Sequence, residues 1–269
     1  MKKLTVPQII QKSHRGEKLT MLTAYDATFA RIIDEAGVDM ILVGDSLGQV
    51  IQGRDNTIPV ELGDVIYHTS CVTRAVKQAI VIADLPFMSY QVSKSQALLA
   101  AGRALKEGLC EAVKLEGGME MVETVKTIVQ TGIPVMAHLG LKPQTIHKMG
   151  GYKIHGRTAE EARGLIGEAT AMEEAGAFSI VLEGVAMETA KEITQAVKIP
   201  TIGIGAGPHC SGQVLVIYDL LGMNPGFNPT FLKTYMDGHS LITKAVKNYI
   251  EEVKAGKFPG ESHSFPRKN

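Results

Sequence analysis

Short apolar runs of four or five residues recur along the chain, at 21–25, 40–43, 79–83, 112–116, 134–138, 178–182, 200–204 and 214–217. Apolar on both faces and bounded by turn residues, most of them read as buried parallel strands. Segments whose apolar residues return every three or four positions lie among them, at 6–14, 27–35, 60–77, 94–107, 121–131, 159–175 and 187–197, and read as helices with one buried stripe. Thr5 and Gln8 have capping-box spacing, and Gly37, Gly132 and Gly176 stand where helices should stop. No Gly/Ser linker interrupts the alternation. It therefore predicts an α/β fold, a (β/α)8 TIM barrel forming one domain over 1–269, with the first short helix as a plug under the barrel. A last helix over 240–254 carries Ile242, Ala245, Val246, Tyr249, Ile250 and Val253 on one stripe and should pack outside the barrel. Residues 257–269 have no period and read as a frayed end or an arm on a neighbour.

Composition narrows the classes. At 269 residues and 45% apolar, the chain can bury a core the size of one barrel. A formal net charge of zero gives no basic face, so nucleic acid is not an expected partner. Cys71, Cys110 and Cys210 are odd in number and lack ligand spacing, which predicts free thiols in a reducing compartment. Gln8, Gln11, Lys12, His14 and Arg15 break up any signal-like apolar stretch, and no run reaches membrane-spanning length. The expectation is a soluble cytoplasmic protein.

Candidate chemistry lies where the strands end. Val43-Gly44-Asp45-Ser46-Leu47-Gly48 puts a carboxylate, a hydroxyl and two glycines at the point where a buried strand surfaces, although an ordinary turn has the same composition. Asp84, Glu116, His138 and Glu183 stand at later strand ends, and the alternation of a strand points Lys114 and Glu116 the same way. In a closed parallel barrel all of these meet at the carboxyl face. Asp45 and Asp84, with Glu116 beside them, offer all-oxygen ligation that suits Mg²⁺ better than zinc. The competing reading is a structural network in which Lys114 neutralises Asp84 and Glu116. His138 reads equally as a hydrogen-bonded wall or a catalyst. Gly203-Ile204-Gly205-Ala206-Gly207 offers a phosphate cradle or a close backbone approach, and it misses both nucleotide fingerprints. The loop over 46–59 is long enough to do work, and that over 139–157 is glycine-rich enough to close over a ligand.

Taken in order, Met21-Leu22-Thr23-Ala24-Tyr25-Asp26, Val43 to Gly48, Asp84-Leu85-Pro86-Phe87, Ala112 to Gly118, His138-Leu139-Gly140-Leu141 and Gly203 to Gly207 resemble the ketopantoate hydroxymethyltransferase family, over about residues 4–266. One departure is Ser211, where the family pattern expects aspartate. The resemblance implies Mg²⁺-dependent transfer of a hydroxymethyl group from 5,10-methylenetetrahydrofolate to 3-methyl-2-oxobutanoate, forming 2-dehydropantoate (ketopantoate) in pantothenate biosynthesis. It also implies a homo-oligomer, commonly a decamer. Carried over by motif, Asp45, Asp84 and Glu116 attend the metal, Ser46 and Lys114 hold the keto acid together with Asp45 and Asp84, and Glu183 is the base. Two other readings stay open. An isocitrate lyase type of carbon–carbon lyase also stabilises a keto-acid enolate, but the chain has no Lys-Lys-Cys-Gly-His stretch. A non-catalytic barrel would leave the carboxylates unpaired or neutralised by lysine.

Overall fold

The structure is a computed structural model that describes residues 3–145 and 153–267. Eight strands, β1 (Leu19–Thr23), β2 (Met40–Val43), β3 (Ile80–Asp84), β4 (Ala112–Glu116), β5 (Val135–Gly140), β6 (Ser179–Glu183), β7 (Thr201–Ile204) and β8 (Gly212–Leu215), pair in parallel in chain order. The ring closes where Leu19 stands opposite Gly212 and Leu22 opposite Leu215. This is the (β/α)8 barrel that the pattern predicts.

Alternation along each strand sorts the side chains. Met21, Met40, Leu42, Ile80, Ile82, Ala112, Met136, Val181, Ile202 and Val214 belong to one buried cluster, to which the helix Val6–His14 adds Ile9. Leu4, Val6 and Ile10 pack against the same cluster, so the first helix is the plug expected under the barrel. Its start is set by the Thr5 N–H, which donates to Gln8 Oε1 at 2.9 Å. Alternate residues such as Ile41, Val81, Val113, Leu115, Ala137, Ile180 and Leu182 are equally buried. A strand with both faces buried carries no polar alternation, which explains the continuous apolar runs.

Departures from the pattern have local causes. β1 and β8 begin two residues before their apolar runs, because register extends pairing through Thr20 and Gln213, whose exposed side chains hide the strand from a hydrophobic reading. β5 continues to Gly140 through ladder pairing with β6. A short turn of helix, Leu47–Val50, interrupts the loop expected over 46–59. Residues 205–211 join β7 to β8 without a helix, a short crossover for parallel strands. Ser211 exchanges hydrogen bonds with Thr201 at this connection, before β8 begins. The loop expected over 139–157 falls partly on residues 146–152, outside the described residues.

Residues Met1–Val216 group as one compact unit and Ile217–Asn269 as another. The second contains the helix Gly238–Lys254, capped by Asp237, which accepts the Ser240 N–H at 3.2 Å. Leu241, Ile242, Val246, Tyr249, Ile250 and Val253 on this helix are exposed. Among the described residues no helix is long and apolar enough to cross a membrane.

Ile9→Ala removes a fully buried plug side chain and is expected to destabilise the barrel by about 2–5 kcal/mol. Urea denaturation measures it; an unchanged midpoint would show that the first helix is not part of the core.

Candidate active site

Consecutive strands β2 to β6 deliver the polar residues to one end of the ring. Asp45 lies just beyond β2, Asp84 ends β3, Lys114 and Glu116 share a face of β4, His138 lies on β5, and Glu183 ends β6. Register sets Asp84 opposite Lys114 and Glu116 opposite His138. β6 stands across the closed ring from β2. Gly140 makes room for the last of these residues: its φ is +91°, and a Cβ there would meet the Glu183 carbonyl oxygen at 2.3 Å.

The side chains form a connected chain of contacts. Lys114 Nζ lies 2.8 Å from Asp84 Oδ1 and 3.2 Å from His138 Nδ1. His138 Nδ1 is 3.5 Å from Glu116 Oε1, and its Nε2 is 3.3 Å from Glu183 Oε2 without hydrogen-bond alignment. The Asp45 N–H donates to Asp84 Oδ2 at 3.2 Å. A Cβ built on Gly44 would lie 2.9 Å from Ser46 Oγ and 3.8 Å from Asp84 Oδ2, so a side chain there would press on the Ser46 hydroxyl. Ser46 pairs with the Tyr25 hydroxyl at 2.8 Å.

Burial governs the ionisation of this cluster. It pushes the Asp84 carboxyl up to about 7 against the pull of Lys114. It also raises Glu183 to about 7. Glu116 is raised well above the ordinary glutamate value by burial and by the Asp45 and Asp84 charges, with Lys114 opposing. Burial opposes the charge on Lys114, yet Asp84, Glu116 and Asp45 together hold its pKa above the usual lysine value. His138 is driven well below its ordinary pKa by burial and then by Lys114, so it is neutral. With the lysine ammonium facing Nδ1, the remaining ring proton belongs on Nε2, toward Glu183. In that tautomer neither ring nitrogen is free to act as a base, since Nδ1 faces the ammonium and Nε2 carries the proton.

The donor set bears on metal binding. Glu116 Oε1 is buried and makes no hydrogen bond, while Asp84 Oδ1 is held by the Lys114 ammonium at 2.8 Å. Among the described residues no three His, Cys, Asp or Glu side chains converge into a ready-made cage. Two adjacent carboxylates, Asp45 and Asp84, instead suit a hard cation that takes the rest of its shell from water or substrate oxygens. The lysine network and the cation reading therefore use the same atoms.

Sequence reasoning missed Gln144, Tyr90 and Tyr25. Gln144 is 2% exposed, and its side-chain amide donates to Asp45 Oδ2 at 3.0 Å. The buried Tyr90 hydroxyl accepts the Glu116 N–H at 3.1 Å. Both lie in loops without period. Their signal was proximity to a strand end: Tyr90 follows the β3 terminus, and Gln144 follows Gly140 of β5.

A closed parallel barrel with its acids gathered at the carboxyl ends of the strands defines a (β/α)8 enzyme class whose sites stand at that face. Solved structures share this fold: phosphonopyruvate hydrolase in complex with oxalate and Mg²⁺ superposes with a TM-score of 0.63 at 12% identity, over 98% of this chain and 92% of its own. 2,3-Dimethylmalate lyase, a PEP mutase/isocitrate lyase superfamily member, gives 0.61 at 18% identity, over 96% and 90%. At these identities the likeness concerns the fold alone.

Sequence comparison is more specific. The ketopantoate hydroxymethyltransferase family profile matches residues 3–261. 3-Methyl-2-oxobutanoate hydroxymethyltransferase of Geobacter metallireducens is 54% identical, over 98% of this chain and 99% of that protein. The protein of that name from Ignicoccus hospitalis is also 54% identical, over the same shares. The chain belongs to the ketopantoate hydroxymethyltransferase family.

Lys114→Met leaves Asp84 buried without its cation and is expected to cost about 3–5 kcal/mol of stability. Adding Asp84→Asn should recover part of that loss in urea denaturation. Additive losses in the double variant would mean that the pair is not coupled.

Proposed function

We propose that this chain transfers a hydroxymethyl group from 5,10-methylenetetrahydrofolate to 3-methyl-2-oxobutanoate, forming 2-dehydropantoate, with Mg²⁺ at Asp45 and Asp84. The observation that carries the reading is the opposition of two kinds of carboxylate across one ring. Asp45 and Asp84 lie together at the ends of β2 and β3, the Asp45 N–H donating to Asp84 Oδ2 at 3.2 Å, while Glu183 ends β6 across the ring. The names of relatives sharing over half its residues supply the substrate.

The reaction needs a base for the C3 proton, stabilisation of charge on the keto oxygen, and a partner for the carboxylate. A magnesium ion held by Asp45 and Asp84, with Glu116 beside them, would supply a Lewis acid at the keto oxygen. Lys114 has three donors, two of which face Asp84 and His138. The third is available to the substrate carboxylate, with Ser46 alongside. Glu183 takes the C3 proton; water releases the methylene carbon from tetrahydrofolate as formaldehyde, and C3 adds to that carbonyl, whose oxygen takes a proton and becomes the new hydroxyl. A glutamate raised to about 7 by burial is well matched to that proton transfer.

The isocitrate lyase type of chemistry is disfavoured by the cysteines. Cys71 lies on the helix Leu62–Thr73, Cys110 and Cys210 precede β4 and β8, and burial pushes Cys110 up to about 12. None stands at a strand carboxyl end. The three free thiols support a cytoplasmic location. The exposed apolar residues of Gly238–Lys254 support assembly as a homo-oligomer.

Asp45→Asn and Asp84→Asn should each weaken Mg²⁺ binding and lower turnover while the fold persists; Mg²⁺ titration of activity measures it. Normal Mg²⁺ dependence in both variants would sink the metal assignment. Glu183→Gln should lower C3 proton exchange of 3-methyl-2-oxobutanoate in D₂O by about 10²–10⁴-fold and leave keto-acid binding nearly unchanged. In the unsubstituted enzyme, exchange should rise with pH through about 7 and level off above it, because the carboxylate is the acting form. Retained exchange in Glu183→Gln would move the base elsewhere.

A further inference from the structure

The buried residue Gln144 joins the two ends of the acid cluster. Its side-chain nitrogen donates to Asp45 Oδ2 and to the Leu85 carbonyl, each at 3.0 Å, while its backbone N–H donates to Glu116 Oε2 at 3.2 Å. Its side-chain oxygen lies 2.8 Å from the Tyr90 hydroxyl and accepts from the Gln91 amide at 3.2 Å. These partners determine the orientation of the amide: turned over, its oxygen would face the Asp45 carboxylate and the Leu85 carbonyl. Tyr90 is itself bonded to the Glu116 backbone, so the brace returns to β4.

The chemistry of the position favours a neutral donor. Asp45, Asp84 and Glu116 repel one another in a dry site and need hydrogen bonds to stay in place. A lysine at 144 would bring a charge that competes with a cation, and a glutamate would add a further negative charge. An apolar side chain would leave Asp45 Oδ2 without its donor. The amide restrains the carboxylates and leaves their charge available.

We propose that Gln144 is a positioning residue that holds Asp45 and Glu116 in the arrangement that receives a divalent cation. The inference rests on the cation reading given above. Tyr90 acts behind it, by holding the amide oxygen. Groups that orient metal-binding carboxylates typically change metal affinity or activity by about 10–100-fold when removed.

The test is calorimetric titration of the full chain with MgCl₂, alongside thermal melting without metal and steady-state kinetics. Gln144→Met, close in size but unable to hydrogen-bond, should weaken Mg²⁺ binding by about 10–100-fold. The Mg²⁺ concentration for half-maximal turnover should rise in parallel, while KM for the keto acid at saturating Mg²⁺ stays near that of the unsubstituted chain. Tyr90→Phe should shift Mg²⁺ affinity in the same direction by less, because the Asp45 bond survives. If Gln144→Met fails to fold, Tyr90→Phe decides. A purely structural role would lower the melting temperature and leave Mg²⁺ affinity unchanged, which would overturn the proposal. Failure of the unsubstituted chain to bind Mg²⁺ would instead overturn the cation reading, and the role of Gln144 with it.

Discussion

One ammonium group, that of Lys114, stands among three buried carboxylates, Asp45, Asp84 and Glu116, with the half-buried Glu183 beyond them. Burial of any of these charges alone is unfavourable by several kcal/mol, so their arrangement must satisfy them mutually. Lys114 is paired with Asp84 and contacts the neutral His138, which in turn faces Glu183. Asp84, Lys114, His138 and Glu183 thus form one run of contacts through the site, with the lysine at its charged centre. More carboxylates than ammonium groups remain after that pairing, and the proposed cation site rests on this excess.

The barrel makes such a cluster possible by dividing labour along each strand. On β4, Ala112 lies in the apolar layer, Lys114 above it and Glu116 above that, while Val113 and Leu115 are buried on the alternate face. A single strand therefore belongs to the core and to the chemistry at once. The apolar layer beneath is sealed by Ile9, so the polar end is built on a packed floor. Packing of this kind limits rotamer freedom below the site and lets short contacts persist above it.

Much of this was legible in the sequence because it depends on period. Strand runs located Asp84 and Glu183 at termini, and alternation on β4 put Lys114 and Glu116 on one face. The structural reading of Lys114 as a neutralising group also proved informative, since the Asp84 pair is present. What escaped lay outside periodic segments. Gln144 and Tyr90 come from loops after β5 and β3, and their partners are distant in sequence, Asp45 in one case and Gln144 in the other. The ends of β1 and β8 were hidden because Thr20 and Gln213 are polar where a covered strand would be apolar.

Ring closure has a consequence for the order of events during folding. The β1–β8 seam joins Leu19 to Gly212, residues separated by nearly the whole barrel sequence, and such distant pairing is entropically demanding and slow. A chain emerging from the ribosome can expose Asp45, Asp84, Lys114, Glu116 and Glu183 to water long before that seam is complete. The apolar layer depends on the same seam, since Met21 of β1 and Val214 of β8 both belong to it, so packing of the core and enclosure of the charged end are tied to one closing event.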